Sequence, residues 1–264
     1  MSNEKTDISS LTDLLSGEKR LVFVPNVGNL GDALIAHATY SFFRENGIDF
    51  TVAQVTEDIR GACVLIGGGG NLIEGRYNDM SNFLKRCGTH NRTVVLPHTI
   101  VGNIDLWHSL QSNVYVFARE RHTQRFLTSI GLDKQVCVSD DMAFCLAGRL
   151  SVASPRAGTS LICLRRDSES GMKTKPPEGN LDVSGLMLHD WADALVAKCA
   201  SEMFLAIVGE YERILTDRLH VAIAGYLLGR EVRLLPNAYF KNRAVYESSL
   251  AHAPNVQFLD IEAL

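Results

Sequence analysis

Short apolar runs alternate with longer amphipathic stretches along the chain, a rhythm that predicts strands and helices in turn. Residues 21–25, Leu-Val-Phe-Val-Pro, are too few for a helix and read as a buried strand. A Gly/Asn turn over 26–32 follows, and residues 33–46 carry apolar side chains at helical spacing until Gly47 stops them. Further strands are predicted at 49–55, 62–66, 93–97, 114–118 and 136–138, with helices near 78–86 and 120–130. The pattern weakens over 150–158, rich in Ser, Pro and Gly, which reads as a linker. It restarts with a strand at 160–164, a Pro/Gly/Lys-rich mobile loop over 168–184, a helix at 190–208, a strand at 231–235 and a closing helix at 242–251. Strands and helices at this spacing imply parallel sheets covered on both faces. The expectation is therefore an α/β chain of two Rossmann-like domains, residues 1–150 and the smaller 151–264, with a ligand cleft between them beyond the strand ends.

The organising stretch is residues 213–229. Ile214 and Leu215 end a strand, Thr216 or Asp217 can cap a helix, and Gly229 stops it. Arg218, Leu219 and His220 then fall in the first helical turn. A fixed cation there works against the helix dipole by roughly 0.3–1 kcal/mol. An Arg with a His two residues on makes sense if an anion docks at that turn. The plainer alternative is that Asp217 caps the helix, Arg218 is solvated and His220 is a packed core residue.

Other chemistry-bearing residues gather at predicted strand ends. In the turn 26–32, Asn29 and Asp32 either contact a ligand or simply cap the helix; the glycine spacing is not a dinucleotide fingerprint. Gly67–Gly70 follow a buried strand, and four glycines mark a close backbone approach to a ligand or to a neighbouring element. Pro97 ends a strand and can aim His98 into the cleft. Arg119 sits where a guanidinium grips phosphate or carboxylate, or pairs with Glu120 or Asp140. Asp140 and Asp141 are an orienting or acid pair, or a helix cap. Arg165 and Lys241 are further basic candidates.

Composition adds exclusions. The 26 basic and 30 acidic residues leave a net charge of −4, with no basic tail for nucleic acid. The six cysteines show no CxxC spacing and read as reduced, buried thiols of a cytoplasmic protein, with no metal site expected. No apolar run is long enough for a membrane span.

Taken together the motifs resemble the polysaccharide pyruvyl transferase family. The matching pieces are Asn-Val-Gly-Asn-Leu-Gly-Asp at 26–32, Ile-Gly-Gly-Gly-Gly-Asn-Leu at 66–72, Phe-Ala-Arg-Glu at 117–120, Ser-Asp-Asp-Met-Ala-Phe at 139–144, Thr-Asp-Arg-Leu-His at 216–220 and Asn-Ala-Tyr-Phe-Lys at 237–241. The compact chain is similar to the ketal pyruvyltransferases of xanthan assembly. The resemblance implies a GT-B-like fold, phosphoenolpyruvate as donor, no cofactor, and a cyclic 4,6-pyruvate ketal formed on a terminal mannose-type residue. It implies an acceptor carried on a polyprenyl diphosphate, which would bring a cytoplasmic protein to the inner face of the membrane. By the family's motif, Arg218, Leu219 and His220 hold the donor. Arg119, Arg165, Lys241, Gly69 and Gly70 are the further donor candidates. His220 is the expected acid/base, oriented by Asp217 or Asp141, and Asn29, Asp32, Asn71 and His98 are expected on the acceptor side. The competing readings are a GT-B glycosyltransferase using a nucleotide sugar, and a non-catalytic sugar-binding protein of an assembly complex.

Overall fold

Strand β1 (Leu21–Val24) turns Phe23 to one face of its sheet and Val22 and Val24 to the other, the period of two that a strand imposes. The computed structural model describes residues 8–151 and 153–260. The sequence up to about Gly17 is expected to be a loose or short helical leader; its first seven residues lie outside the described ones, and its described part carries the short helix α1 (Ser10–Leu15). After β1 come β2 (Val27–Asn29), α2 (Leu30–Glu45), β3 (Thr51–Val52), β4 (Cys63–Ile66), β5 (Gly69–Ile73), α3 (Asp79–Cys87), β6 (Arg92–Val101), α4 (Ile104–Leu110), β7 (Val114–Ala118), α5 (Arg121–Ser129) and β8 (Val136–Val138). The strands assemble in parallel in the order β3-β1-β4-β6-β7-β8, with β5 also paired to β6.

The chain then forms β9 (Arg156–Cys163), β10 (Leu188–Asp190), α6 (Ala194–Gly209), β11 (Tyr211–Thr216), α7 (Leu219–Leu227), β12 (Glu231–Leu234), α8 (Lys241–Val245) and β13 (Val256–Phe258). A second parallel sheet runs β13-β12-β11-β9. Strand β10 joins neither large sheet. It pairs antiparallel with β2, so a strand of the later half lies along the turn that follows β1. This is a mixed α/β fold with a large parallel sheet.

Helix α2 is the packing element between the sheets. Its buried side chains share one apolar cluster with Phe23 and Phe117 of the first sheet, with Leu161, Ile214 and Val232 of the second, and with α6 and α7. A second cluster covers the far face of the first sheet, where Val64, Ile66 and Val95 meet Phe83, Trp107 and Leu127. Burial at about 25 cal/mol per Å2 of apolar surface makes these two layers the main source of cohesion.

The structure departs from the sequence expectations in local ways. Strand β6 does not stop at Pro97 but continues to Val101, with its register against β7 shifted between Val95 and His98. Proline has no N–H to donate, so the ladder skips it and resumes. The glycine run also enters the sheet: Gly69 already begins β5. The unpredicted strand β10 follows the long loop, the helix expected from residue 190 starts at Ala194 behind the Asp193 cap, and the closing helix ends in a π-helical turn, Tyr246–Leu250. The cysteines are free thiols, but only Cys63, Cys87 and Cys163 are buried as expected; Cys137 and Cys145 are half-buried and Cys199 is exposed. Among the described residues no helix is long and apolar enough to cross a membrane.

Candidate active site

Two helix starts meet beside the carboxyl ends of the strands. At α2, Asn29 Oδ1 accepts from the Gly31 amide (2.8 Å) and Asp32 Oδ2 accepts from the Asn29 amide (2.9 Å). This reciprocal capping box fixes both side chains at the helix entrance. Burial pushes the Asp32 carboxyl above its ordinary value, against the pull of His220, the Asn29 amide, Lys241 and Arg119. Gly31 brings the turn against α7: a β-carbon there would lie 2.4 Å from His220 Nδ1.

At α7, Thr216 Oγ1 donates to Cys163 O (2.7 Å) and accepts from the Arg218 amide (2.9 Å). Arg218 takes the cap position without capping through its own side chain. The amides of Leu219 and His220 come before the internal ladder, which opens with Val221 N–H to Arg218 O (3.1 Å). The cap and orienting roles expected of Asp217 are corrected here. Its buried carboxylate accepts from the Arg165 amide (2.8 Å) and Ser170 Oγ (3.4 Å) and holds the turn after β9, because its side chain points toward that strand.

The carboxylate beside His220 is that of Asp141. His220 Nε2 lies 3.5 Å from Asp141 Oδ2, too loosely aligned for a hydrogen bond, and this buried nitrogen has no other partner. Asp141 Oδ2 also accepts from Arg119 Nη1 (2.9 Å), and its Oδ1 accepts from the Ala143 amide (3.0 Å). Burial opposes ionisation of Asp141, but His220, Arg119 and that amide outweigh it and hold the carboxyl far below the usual range. Arg119, 1 % exposed, donates from Nε to Thr99 Oγ1 (2.7 Å). Its remaining terminal nitrogen lies over Gly70, where an added β-carbon would stand 2.8 Å away. Glu120 is not its partner; it caps α5 by accepting from the Thr123 amide (3.0 Å).

The other cations are matched by acids of the loop between β9 and β10. Arg165 forms a bidentate pair with Asp167 (2.8 and 3.0 Å) and reaches Glu169 (2.7 Å). Arg218 forms a bidentate pair with Asp182 (2.9 and 2.5 Å) and approaches Asp167 (3.3 Å). Lys241 Nζ donates to Glu169 (2.8 Å). Burial lowers the Lys241 pKa to about 8 although Glu169 pulls it up; Lys241 and Arg165 in turn bring Glu169 down to about 2 against its own burial.

These residues enclose a cavity of about 340 Å3. Asn29, Asp32, Gly70, Asn71, Arg119, Arg165, Arg218, Leu219, His220 and Lys241 line it, so most of the residues singled out in the sequence converge on one place. His98 does not. It is 0 % exposed, it donates from Nδ1 to Gly67 O (3.1 Å), and its Nε2 accepts from the Asn71 amide (3.2 Å). With both ring nitrogens used, it shapes the glycine run and cannot contact an acceptor. Gly69 is also withdrawn, packed on Asn26 with φ 145°. Sequence reasoning missed Tyr77, Asp167, Glu169, Ser184 and Gly185 of the lining, because they sit in polar segments without periodicity. Asn71 contributes a buried amide oxygen with no hydrogen-bond partner. Among the described residues no group of three His, Cys, Asp or Glu side chains is placed to hold a metal ion.

Comparison with known proteins bears on the fold and the family. A Klebsiella pneumoniae subsp. pneumoniae NTUH-K2044 protein, functionally uncharacterized and solved by crystallography, has the same fold with a TM-score of 0.84 and 33 % identity, over 98 % of this chain and 99 % of that one. The Bacillus subtilis (strain 168) protein named "Putative pyruvyl transferase EpsO" is 20 % identical, over 98 % of this chain and 94 % of its own length. The family model described as polysaccharide pyruvyl transferase matches residues 29–239, from the α2 cap to the segment after β12. The chain belongs to the polysaccharide pyruvyl transferase family.

Proposed function

We propose that the chain moves pyruvate from phosphoenolpyruvate to a pair of hydroxyls on a terminal mannose-type sugar, closing a cyclic 4,6-ketal and releasing inorganic phosphate. The observation that carries this reading is that His220, set 3.5 Å from the Asp141 carboxylate that Arg119 also grips (2.9 Å), lines one cavity together with Arg119, Lys241 and the first turn of α7. The donor is a small molecule with a phosphate and a carboxylate. The first-turn amides of α7, Arg119 and Lys241 supply the positive field it needs. Arg119 is preferred over Arg165 because one of its terminal nitrogens is not tied to a carboxylate, whereas Arg165 is filled by Asp167 and Glu169. Arg218 joins the donor by exchanging Asp182 for it.

In the chemistry, His220 gives a proton to the donor methylene carbon, and positive charge develops at C2. One sugar hydroxyl adds to C2 and yields its proton to the emptied His220. The C2–O bond to phosphate breaks, the second hydroxyl closes the ring, and its proton leaves with phosphate. Asp141 would hold the imidazole between its two states, and acid/base help of this kind is worth about 10²–10⁴-fold. Asn29, Asp32 and the free amide oxygen of Asn71 would face the acceptor. A cavity of about 340 Å3 suits such a donor and a sugar edge better than a nucleotide sugar, being near the small end of ligand sites.

In this reading the two sheets act as the two domains of a GT-B-like transferase, residues 1–150 toward the acceptor and 151–264 toward the donor. An acceptor on a polyprenyl diphosphate places the cytoplasmic chain at the inner membrane face. The exposed apolar side chains Leu186, Met187 and Leu188 beside the cavity are compatible with that location. The test is phosphate release from phosphoenolpyruvate in the presence of mannose-terminated lipid-linked oligosaccharides. Release with equal gain of pyruvyl ketal on the acceptor is expected. Consumption of a nucleotide sugar, with phosphoenolpyruvate untouched, would favour a glycosyltransferase instead.

A further inference from the structure

Glu169 lies in a polar loop, yet its side chain is almost wholly buried. One carboxylate oxygen accepts from Tyr77 OH (2.6 Å) and Tyr239 OH (3.1 Å); the other accepts from Lys241 Nζ (2.8 Å) and forms an ion pair with Arg165 Nη1 (2.7 Å). These donors come from separate parts of the chain: Tyr77 follows β5, Arg165 follows β9, and Tyr239 and Lys241 follow β12. A loop acid loses free energy on burial unless paired in this way. The arrangement therefore needs a reason beyond closing the loop.

Lys241 depends on this carboxylate. Arg165 and Arg119 both press on its ammonium, the Tyr239 ring centroid is 5.1 Å away, and Asp32 lies within electrostatic reach. Burial and the two arginines favour the neutral amine, while Glu169 is the carboxylate in contact with the nitrogen. An uncharged amine would add nothing to a dianion site. We propose that Glu169 is a positioning residue of the donor site, keeping Lys241 in its ammonium form and aimed at the donor, so that donor binding depends on the pair. This rests on the reading of the cavity as the phosphoenolpyruvate site.

The test follows the charge of Lys241 directly. Competitive acetylation of the full-length protein with trace acetic anhydride, quantified at Lys241 by peptide mass spectrometry over a pH series, gives its titration without any substrate. The parent should titrate near pH 8. Removing the negative charge favours the neutral amine, so Glu169→Gln should shift the titration down by roughly 1–3 pH units. Glu169→Asp keeps a charge in the cluster and should shift it less, in the same direction; it serves if the glutamine variant does not fold. Calorimetric titration with phosphoenolpyruvate forms the second arm. Affinity should fall in the parent as pH rises through the Lys241 titration, fall at lower pH in Glu169→Gln, and lose this limb in Lys241→Arg. An unmoved Lys241 titration in both Glu169 variants overturns the inference. A shifted titration in a protein that binds no phosphoenolpyruvate at any pH supports the Glu169–Lys241 coupling and removes the donor reading alone.

Discussion

Gly31→Ala sets helix propensity against packing at the start of α2. On propensity alone the substitution should help, by up to about 1 kcal/mol. The structure says otherwise. The new β-carbon would stand 2.4 Å from His220 Nδ1 and 2.8 Å from His220 Cβ and Cγ, where ordinary contact begins at 3.4 Å. Turning the ring cannot relieve the contact with Cβ, which is rooted in the backbone. The first turn of α7 must therefore move away by about 0.6 Å, more if the ring keeps its rotamer. Overpacking of this kind costs roughly 1–3 kcal/mol, so a net loss of up to about 2 kcal/mol is expected after the propensity gain. The catalytic effect should be larger, because a misplacement of ~1 Å can cost on the order of 10²-fold in rate. Thermal unfolding and phosphate release from phosphoenolpyruvate measure the two. Adding His220→Ala to Gly31→Ala removes the ring but leaves Cβ, so part of the stability should return, as coupling of about 0.5–3 kcal/mol between contacting sites. A Gly31→Ala protein at least as stable as its parent, with unchanged turnover, would refute the claimed contact between the two helix starts.

Asp182→Asn should tighten donor binding several-fold, because it releases Arg218 from a competing carboxylate; an unchanged donor KM would show that Arg218 does not exchange partners. His98→Gln tests the buried imidazole. Burial, then Arg119, lower the His98 pKa from 6.5 to about 3, so the folded state resists a proton that the unfolded chain accepts. Its contribution to stability is present above pH 6.5 and declines as pH falls toward 3. By about pH 5 the parent should have lost about 2 kcal/mol that the variant does not lose. Denaturant unfolding at several pH values gives both curves, and parallel curves would contradict the assignment.

Much of the fold could be read from the sequence because long elements carry a period. The buried positions of α2, such as Leu34, Ala38 and Phe42, and the run of β4 announce themselves in that way. The short pieces do not: β10 has three residues, 188–190, and owes its existence to β2, a partner distant in sequence. Pro97 suggested a strand end because the missing N–H is visible, whereas the bulge that absorbs it is not. At the candidate site, the Arg218-Leu219-His220 turn and Gly70 of the glycine run do meet in one cavity, since cations at a helix start and costly glycines are local signals. Gly70 is explained by the nearness of Arg119, which only the fold creates. Sequence alone left Asp217 and Asp141 both open as the acid beside His220; in space it is Asp141, from the far end of the first sheet, that lies next to the imidazole, while Asp217 turns to the Arg165 amide. The acids of the β9–β10 loop were hidden most completely. Asp167, Glu169 and Asp182 resemble any solvated loop acids until Arg165, Arg218 and Lys241 are seen to meet them.

The central claim is that a dianionic donor sits on the first turn of α7, between side chains drawn from both sheets. A crystal structure of the protein soaked with phosphoenolpyruvate tests it most directly. The account predicts the phosphate and carboxylate oxygens within hydrogen-bond reach of the Leu219 and His220 amides, the Arg119 nitrogen over Gly70 and Lys241 Nζ, with the methylene carbon beside His220. A donor bound elsewhere, or a cavity left unchanged while the salt pairs of Arg165 and Arg218 stay closed at saturating phosphoenolpyruvate, would contradict it.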